Sequence, residues 1–186
     1  MGKLVCRICG MEVNEKNYDF NKEAFLESNS LESIKFCPFC GVTSEFITEE
    51  NGQFTIDRST LNENALKIID HAVKLEIFNG DYYNKASLLA KDEKLKKMFK
   101  SLSRIEYTHA KIHLYLGGFK EIPELADMDY GKYDSDTILK EIAQMREMHA
   151  VSYYKRYSKQ IDCETIKLIF AALSDVETEH IQLTEK

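Results

Sequence analysis

Between Glu76 and His180 the chain writes one pattern twice. Glu76 is followed by the pair Glu106-x-x-His109, and Glu147 by the pair Glu177-x-x-His180. A shift of 71 positions carries the first set onto the second. Four carboxylates and two imidazoles therefore arrive in two matched halves. Placed on helices, they form the ligand set of a dinuclear carboxylate centre inside a four-helix bundle. The same shift carries Tyr82 and Tyr83 onto Tyr153 and Tyr154, Phe99 onto Phe170, and Leu102 onto Leu173. Each half reads as one helical hairpin.

Spacing sets the level of the ligands. The polar stretches Lys91-Asp92-Glu93 and Gln160-Ile161-Asp162 lie midway between the two glutamates of each half. Each of these glutamates is then roughly 22 Å from its turn, at the rise of an α-helix. All four ligand-bearing segments are expected at one height. Glu106 and His109, like Glu177 and His180, are one turn apart on one stripe. Apolar residues precede both pairs at helical spacing, Leu95, Met98, Phe99, Leu102 and Ile105 in one and Ile166, Ile169, Phe170, Leu173 and Val176 in the other. The charged side chains thus point toward a buried stripe. One buried, unpaired Glu costs several kcal/mol, roughly, so six converging ligands call for cations.

A second metal motif lies N-terminal to the repeat. Cys6-x-x-Cys9-Gly10 and Cys37-x-x-Cys40-Gly41 are two matched knuckles, each followed by a glycine suited to positive φ. Together they give a tetrahedral four-sulfur site for zinc or iron. So small a segment needs the metal as a staple.

Composition limits the alternatives. The 186 residues are 44% hydrophobic and carry a net charge of −6, which argues against a broad nucleic-acid footprint. No run of 18 apolar residues occurs and the N-terminus enters the cysteine motif directly, so no signal peptide or membrane span is expected and the location is read as cytoplasmic. The two prolines, Pro38 and Pro123, fall outside the expected helices.

The expected map has a four-cysteine metal-binding domain over 1–55 and a di-metal four-helix bundle over 60–186. Helices are expected near 61–90, 92–116, 134–160 and 163–185, with Ser59 or Thr60 capping the first and Asp134, Ser135 or Asp136 the third. Gly117-Gly118 ends the second helix, and 117–134 forms a long crossover. Tyr83 and Tyr154, two turns after Glu76 and Glu147, are placed to hydrogen-bond a ligand carboxylate or simply to pack. His113 is placed to flank the site, His149 to face solvent, and Cys163 to be a free buried thiol.

The knuckle pair, ending in Cys37-Pro38-Phe39-Cys40-Gly41-Val42 with Phe46 beyond, resembles rubredoxin. The Glu76, Glu106-x-x-His109, Glu147, Glu177-x-x-His180 set resembles the ferritin-like bundle of the rubrerythrins. The order, knuckles first, resembles the reverse rubrerythrins. The resemblance implies a mainly α protein: a ferritin-like four-helix bundle with a small N-terminal rubredoxin-like domain. It implies two iron ions in the bundle and one iron or zinc ion in the four-cysteine site. The implied activity is reduction of hydrogen peroxide or dioxygen, NADH-linked, with electrons passed from a donor protein or reductase through the rubredoxin-like iron. Electron-tunnelling reach implies a head-to-tail homodimer.

Two departures are plain. Rubrerythrins carry an extra Glu three residues after the ligand Glu of the third helix, where this chain has Ala150. The remaining six ligands resemble those of bacterioferritin and related di-iron oxidases. The segment between the knuckles has Phe20-Asn21-Lys22-Glu23-Ala24-Phe25-Leu26, which looks like a short helix, in place of the usual rubredoxin features. The rival readings are a ferroxidase or iron-binding protein, and a non-enzymatic zinc-stapled adaptor.

Overall fold

The structure, a computed structural model, describes residues 4–49, 52–126 and 128–185. The outer ends of the two expected domains, residues 50 and 51, and Asp127 in the crossover lie outside them. Four long helices dominate: α1 (Glu63–Leu89), α2 (Glu93–Gly117), α3 (Asp136–Tyr157) and α4 (Glu164–Glu185). Before them three short strands, β1 (Leu4–Cys6), β2 (Glu12–Val13) and β3 (Ile47–Thr48), form an antiparallel sheet in the order β2-β1-β3.

Local chemistry sets the helix ends. Asn62 caps α1, its side chain accepting from the Ala65 N–H at 2.8 Å. Ser59 and Thr60 instead belong to a single 3-10 turn, capped by Asp57. The cap moves because Asp57 already satisfies the amide there, and the chain stays extended until Asn62. Asp92 caps α2 and Ser135 caps α3. The neighbouring Asp136 carboxylate reaches across to the backbone N–H groups of Lys91 (2.7 Å) and Asp92 (2.9 Å). That pair ties the start of α3 to the turn between α1 and α2. Gly118 ends α2 in the left-handed region, φ 69°. Between the knuckles the expected short helix is one 3-10 turn, Lys22–Ala24.

The helices pack chiefly as the pairs α1–α2 and α3–α4. Gly80, in the middle of α1, costs roughly 1 kcal/mol of helix propensity relative to Ala. Tyr107 of α2 accounts for it, because a Cβ on Gly80 would lie 2.9 Å from that ring. Ser103 completes the contact by donating to the Gly80 carbonyl at 2.9 Å.

Among the described residues two large buried apolar clusters divide the helical body along its length, beside a small third one of Val73, Ile77 and Ala110. One takes Ile69, Ala72 and Leu75 from α1, Ile112 and Leu116 from α2, Ala150 and Tyr154 from α3, and Phe170, Leu173 and Val176 from α4. The other takes Tyr82, Tyr83, Phe99, Leu102, Ile105, Leu139 and Ala143, with Leu183 packed against it. In every helix the ligand residues fall between these clusters. The polar slab is therefore sealed above and below. Cys6, Ile8, Cys37, Cys40 and Val42 belong to the first cluster, so the knuckles and the helices share one buried core.

The 71-residue repeat becomes a spatial exchange of α1 with α3. Tyr82 donates to the Leu139 carbonyl at 2.5 Å, and its counterpart Tyr153 donates to the Ile68 carbonyl at 2.7 Å. Ile68 and Leu139 are themselves repeat partners. Reciprocal contacts of this kind are what a local two-fold axis between duplicated hairpins produces.

Candidate metal centres

Glu76, Glu106, His109, Glu147, Glu177 and His180 are all fully buried. They assemble into two overlapping groups: Glu76, Glu106, His109 and Glu177, and Glu106, Glu147, Glu177 and His180. Within each group one ligand atom per residue lies within 4.8 Å of the others. Glu106 and Glu177 belong to both, and the repeat exchanges the groups. The imidazoles present Nδ1 to the carboxylates: His109 to Glu177 at 2.9 Å, His180 to Glu177 at 3.0 Å and to Glu106 at 3.5 Å. All six residues anticipated from spacing come together.

The donor set fits cations. Glu76 Oε2, both oxygens of Glu106, Glu147 Oε2, Glu177 Oε1, His109 Nδ1 and His180 Nε2 are buried without a hydrogen-bond partner of good geometry among the described residues. Buried orphans of this density are rare in folded proteins. Most of them are carboxylate oxygens, which only accept when ionised. Two divalent ions sharing Glu106 and Glu177 would satisfy those oxygens.

Protonation compensates when no cation does. Burial, then the nearby carboxylates, push Glu76 well above the ordinary range, Glu106 up to about 8 and Glu147 up to about 7. Glu177 goes the other way: burial opposes ionisation, but the two imidazoles outweigh it and hold the carboxyl below its usual range. Both ligand histidines are raised by the carboxylates against the opposing effect of burial.

Two phenols brace the terminal carboxylates in crossed fashion. Tyr83 of α1 donates to Glu147 Oε1 of α3, and Tyr154 of α3 donates to Glu76 Oε1 of α1. Sequence spacing places each tyrosine near the glutamate of its own helix. The two-fold exchange delivers each to the opposite one. Burial and the adjoining carboxylate keep both phenols protonated.

His113 flanks the site from α2. Its Nε2 lies 2.7 Å from the Tyr154 hydroxyl and 3.9 Å from Glu76 Oε1. Burial lowers it to about 3, so it is neutral at physiological pH. Its i+4 position after His109 is the signal that puts it on this stripe. Of the other residues singled out, His149 is exposed and His71 stacks on Tyr153 with centroids 5.1 Å apart. Cys163 is free but half-buried, because it precedes α4 at the edge of the core rather than within it.

The four knuckle cysteines converge as well, with all their sulfurs within 4.8 Å of one another. Cys6 Sγ lies 3.7 Å from Cys40 Sγ, and Cys9 Sγ 3.7 Å from Cys37 Sγ. These separations are far too long for a disulfide. They match the edge of a tetrahedron with metal–sulfur bonds of about 2.3 Å, which is about 3.8 Å. The knuckles are built alike: Gly10 N–H donates to the Cys6 carbonyl at 2.8 Å, and Gly41 N–H to the Cys37 carbonyl at 2.9 Å. Both glycines have positive φ, 75° and 79°. Only Cys9 of the four is partly exposed.

The second knuckle sits directly on the helical site. Cys40 offers its carbonyl oxygen to His109 Nε2 at 2.9 Å. A carbonyl only accepts, so Nε2 carries the proton and Nδ1 is left as the ligand atom. A Cβ on Gly41 would lie 2.6 Å from Val176 Cγ1, so this contact needs a glycine for space as well as for φ. Nothing in the sequence pattern announced the contact, because it joins residues 69 positions apart through a backbone atom.

Compared with protein-family models, with curated proteins and with solved structures, the chain gave no match in any of the three. Among the described residues no helix is long and apolar enough to cross a membrane. What the chain shows by itself is a mainly helical protein with a small four-cysteine knot and a buried carboxylate–histidine cluster, both able to hold metal ions.

Proposed function

We propose that this chain is a rubrerythrin-like oxidoreductase that reduces hydrogen peroxide or dioxygen at a di-iron centre in a ferritin-like bundle. Electrons would pass through a rubredoxin-like iron in the knuckles. The observation that carries the reading is the 2.9 Å contact between Cys40 O and His109 Nε2, which joins a ligand of one centre to a ligand of the other through a single hydrogen bond.

Two iron ions would be held by the two overlapping groups, Glu76, Glu106, His109 and Glu177 for one and Glu106, Glu147, Glu177 and His180 for the other. Such a pair, when reduced, supplies two electrons together to an O–O bond. The protein's part is positioning and exclusion. The fully buried ligands keep bulk water from the site. Tyr83 and Tyr154 each hold a proton at Oη beside a terminal carboxylate, one on each side. His109 is held in one tautomer by Cys40. The partly exposed Cys9 marks the edge at which a donor protein or reductase would meet the knuckle metal. The bridging contact forms within one chain, so it does not require the second copy of a head-to-tail dimer.

A ferroxidase or iron-binding role is the second reading. It is favoured by Ala150, fully buried where the rubrerythrins carry a further carboxylate. Anaerobic loading with ferrous iron separates the readings. A red knuckle spectrum with catalytic consumption of peroxide supports the first. Iron oxidation that stops after one turnover supports the second, and a colourless, zinc-only protein sinks both. In the Ala150→Glu variant the peroxide-to-dioxygen turnover ratio should rise if the missing carboxylate limits peroxide chemistry.

A further inference from the structure

The duplicated halves supply matching sets of three ligands, yet their surroundings differ. Position 113 in α2 corresponds to position 184 in α4, where the residue is Thr184. Thr184 is buried and turns its hydroxyl back to the His180 carbonyl at 3.0 Å. His113 is equally buried and reaches the Tyr154 hydroxyl at 2.7 Å. Because Tyr154 donates to Glu76, its oxygen accepts from His113 Nε2–H. The order is therefore His113 to Tyr154 to Glu76. Phe170 stands edge-on to the imidazole, centroids 5.4 Å apart, and holds its plane.

On the other side Tyr83 reaches Glu147 with no imidazole behind it among the described residues. The histidines differ in the same sense. His109 is fixed through Nε2 by Cys40, whereas His180 Nε2 has no hydrogen-bond partner among the described residues. Two independent constraints thus fall on the half built from Glu76 and His109. A ligand already held in its binding geometry loses less freedom when it binds an ion.

We propose that His113 is a positioning residue which, through Tyr154, pre-orients Glu76 and makes the two metal positions unequal, so that the Glu76–His109 position binds the first divalent ion. The proposal rests on the dinuclear reading of the carboxylate cluster. It concerns which position fills first, not what the filled centre does.

The test is stepwise loading with cobalt(II) of full-length protein whose knuckles hold zinc and whose carboxylate centre has been emptied with a chelator. Visible absorption and calorimetry follow the two steps. At one equivalent, anomalous scattering at the cobalt edge locates the ion. We expect two steps separated by at least about tenfold, the scale of a hydrogen bond to a charged group. The first ion should lie against Glu76 and His109. His113→Leu should weaken the first step about tenfold and close the gap, and His113→Gln, whose amide can still donate to Tyr154, should restore it. Tyr154→Phe against Tyr83→Phe gives the same comparison without altering His113: only the former should weaken the first step. Equal steps in the unaltered protein, a first ion beside His180, or matching effects of the two tyrosine changes would overturn the proposal. Failure of the centre to take cobalt at all would remove the dinuclear reading and this inference with it.

Discussion

His109 Nε2 donates to the Cys40 carbonyl oxygen across 2.9 Å, placing the second knuckle one hydrogen bond from the carboxylate centre. Both ends of that bond are buried, so no water competes for it. Gly41 sets its geometry, since the following residue must turn with φ 79° against Val176.

Substituting Gly41→Ala should therefore lift the knuckle from α4. The added Cβ would meet Val176 at 2.6 Å and strain a positive φ. We expect a stability loss of about 1–3 kcal/mol, the usual range for such strain. In iron-loaded protein, transfer of electrons from knuckle to carboxylate centre should slow markedly, while both centres still bind metal. Stopped-flow observation of the knuckle colour measures this, and an unchanged rate would show that the Cys40 contact is not the route.

Shared ligands make a prediction about stoichiometry. Glu147 belongs to one group of ligands and Glu177 to both. Glu147→Ala should leave a centre that takes one ion, whereas Glu177→Ala should abolish tight binding at both positions. The knuckle metal should survive each change. Metal analysis after gel filtration counts the ions directly.

The raised carboxyl groups set opposite pH trends for empty and loaded protein. Without cations, Glu106 and Glu147 keep protons in the folded state up to about 8 and about 7, but lose them near 4.5 when unfolded. Between those values the folded state binds more protons, so the stability these groups contribute is full below about 4.5, falls as pH rises from there, and is gone above about 8. Divalent ions must displace the same protons, so metal affinity should rise with pH over that window. Thermal melts of metal-free and loaded protein, taken across and on either side of that window, should diverge. Parallel curves would mean the carboxylates are not protonated in the empty site.

Removing a knuckle ligand should be felt beyond the knuckles. Cys37 and Cys40 lie in the same buried cluster as Ile69, Leu173 and Val176. Cys37→Ser should abolish metal binding by the knuckles and lower the melting temperature of the whole chain, while most helical signal persists at room temperature. A melting temperature identical to that of the parent protein would mean the two regions are energetically separate.

Much of this architecture follows from local rules acting on the sequence. The 71-residue repeat, the i, i+3 Glu–His pairs and the symmetric placement of Glu76 and Glu106 about a polar turn suffice to bring six ligands to one level, because helical rise and pitch convert spacing into height and face. The paired Cys-x-x-Cys-Gly motifs likewise define a tetrahedral site, since each knuckle is a local turn. Other features depended on how the pieces met. Tyr83 and Tyr154 serve the glutamate of the opposite hairpin because the hairpins are related by a two-fold exchange, which spacing along one helix cannot encode. The cap of α1 moved to Asn62 because Asp57 had already claimed the amide of Ser59. Above all, the 2.9 Å bond from His109 to Cys40 O arises from long-range packing of Gly41 on Val176. A backbone carbonyl has no residue type to betray it, so only the tertiary fold could decide that the two centres touch, and that one half of a repeated site is held more firmly than the other.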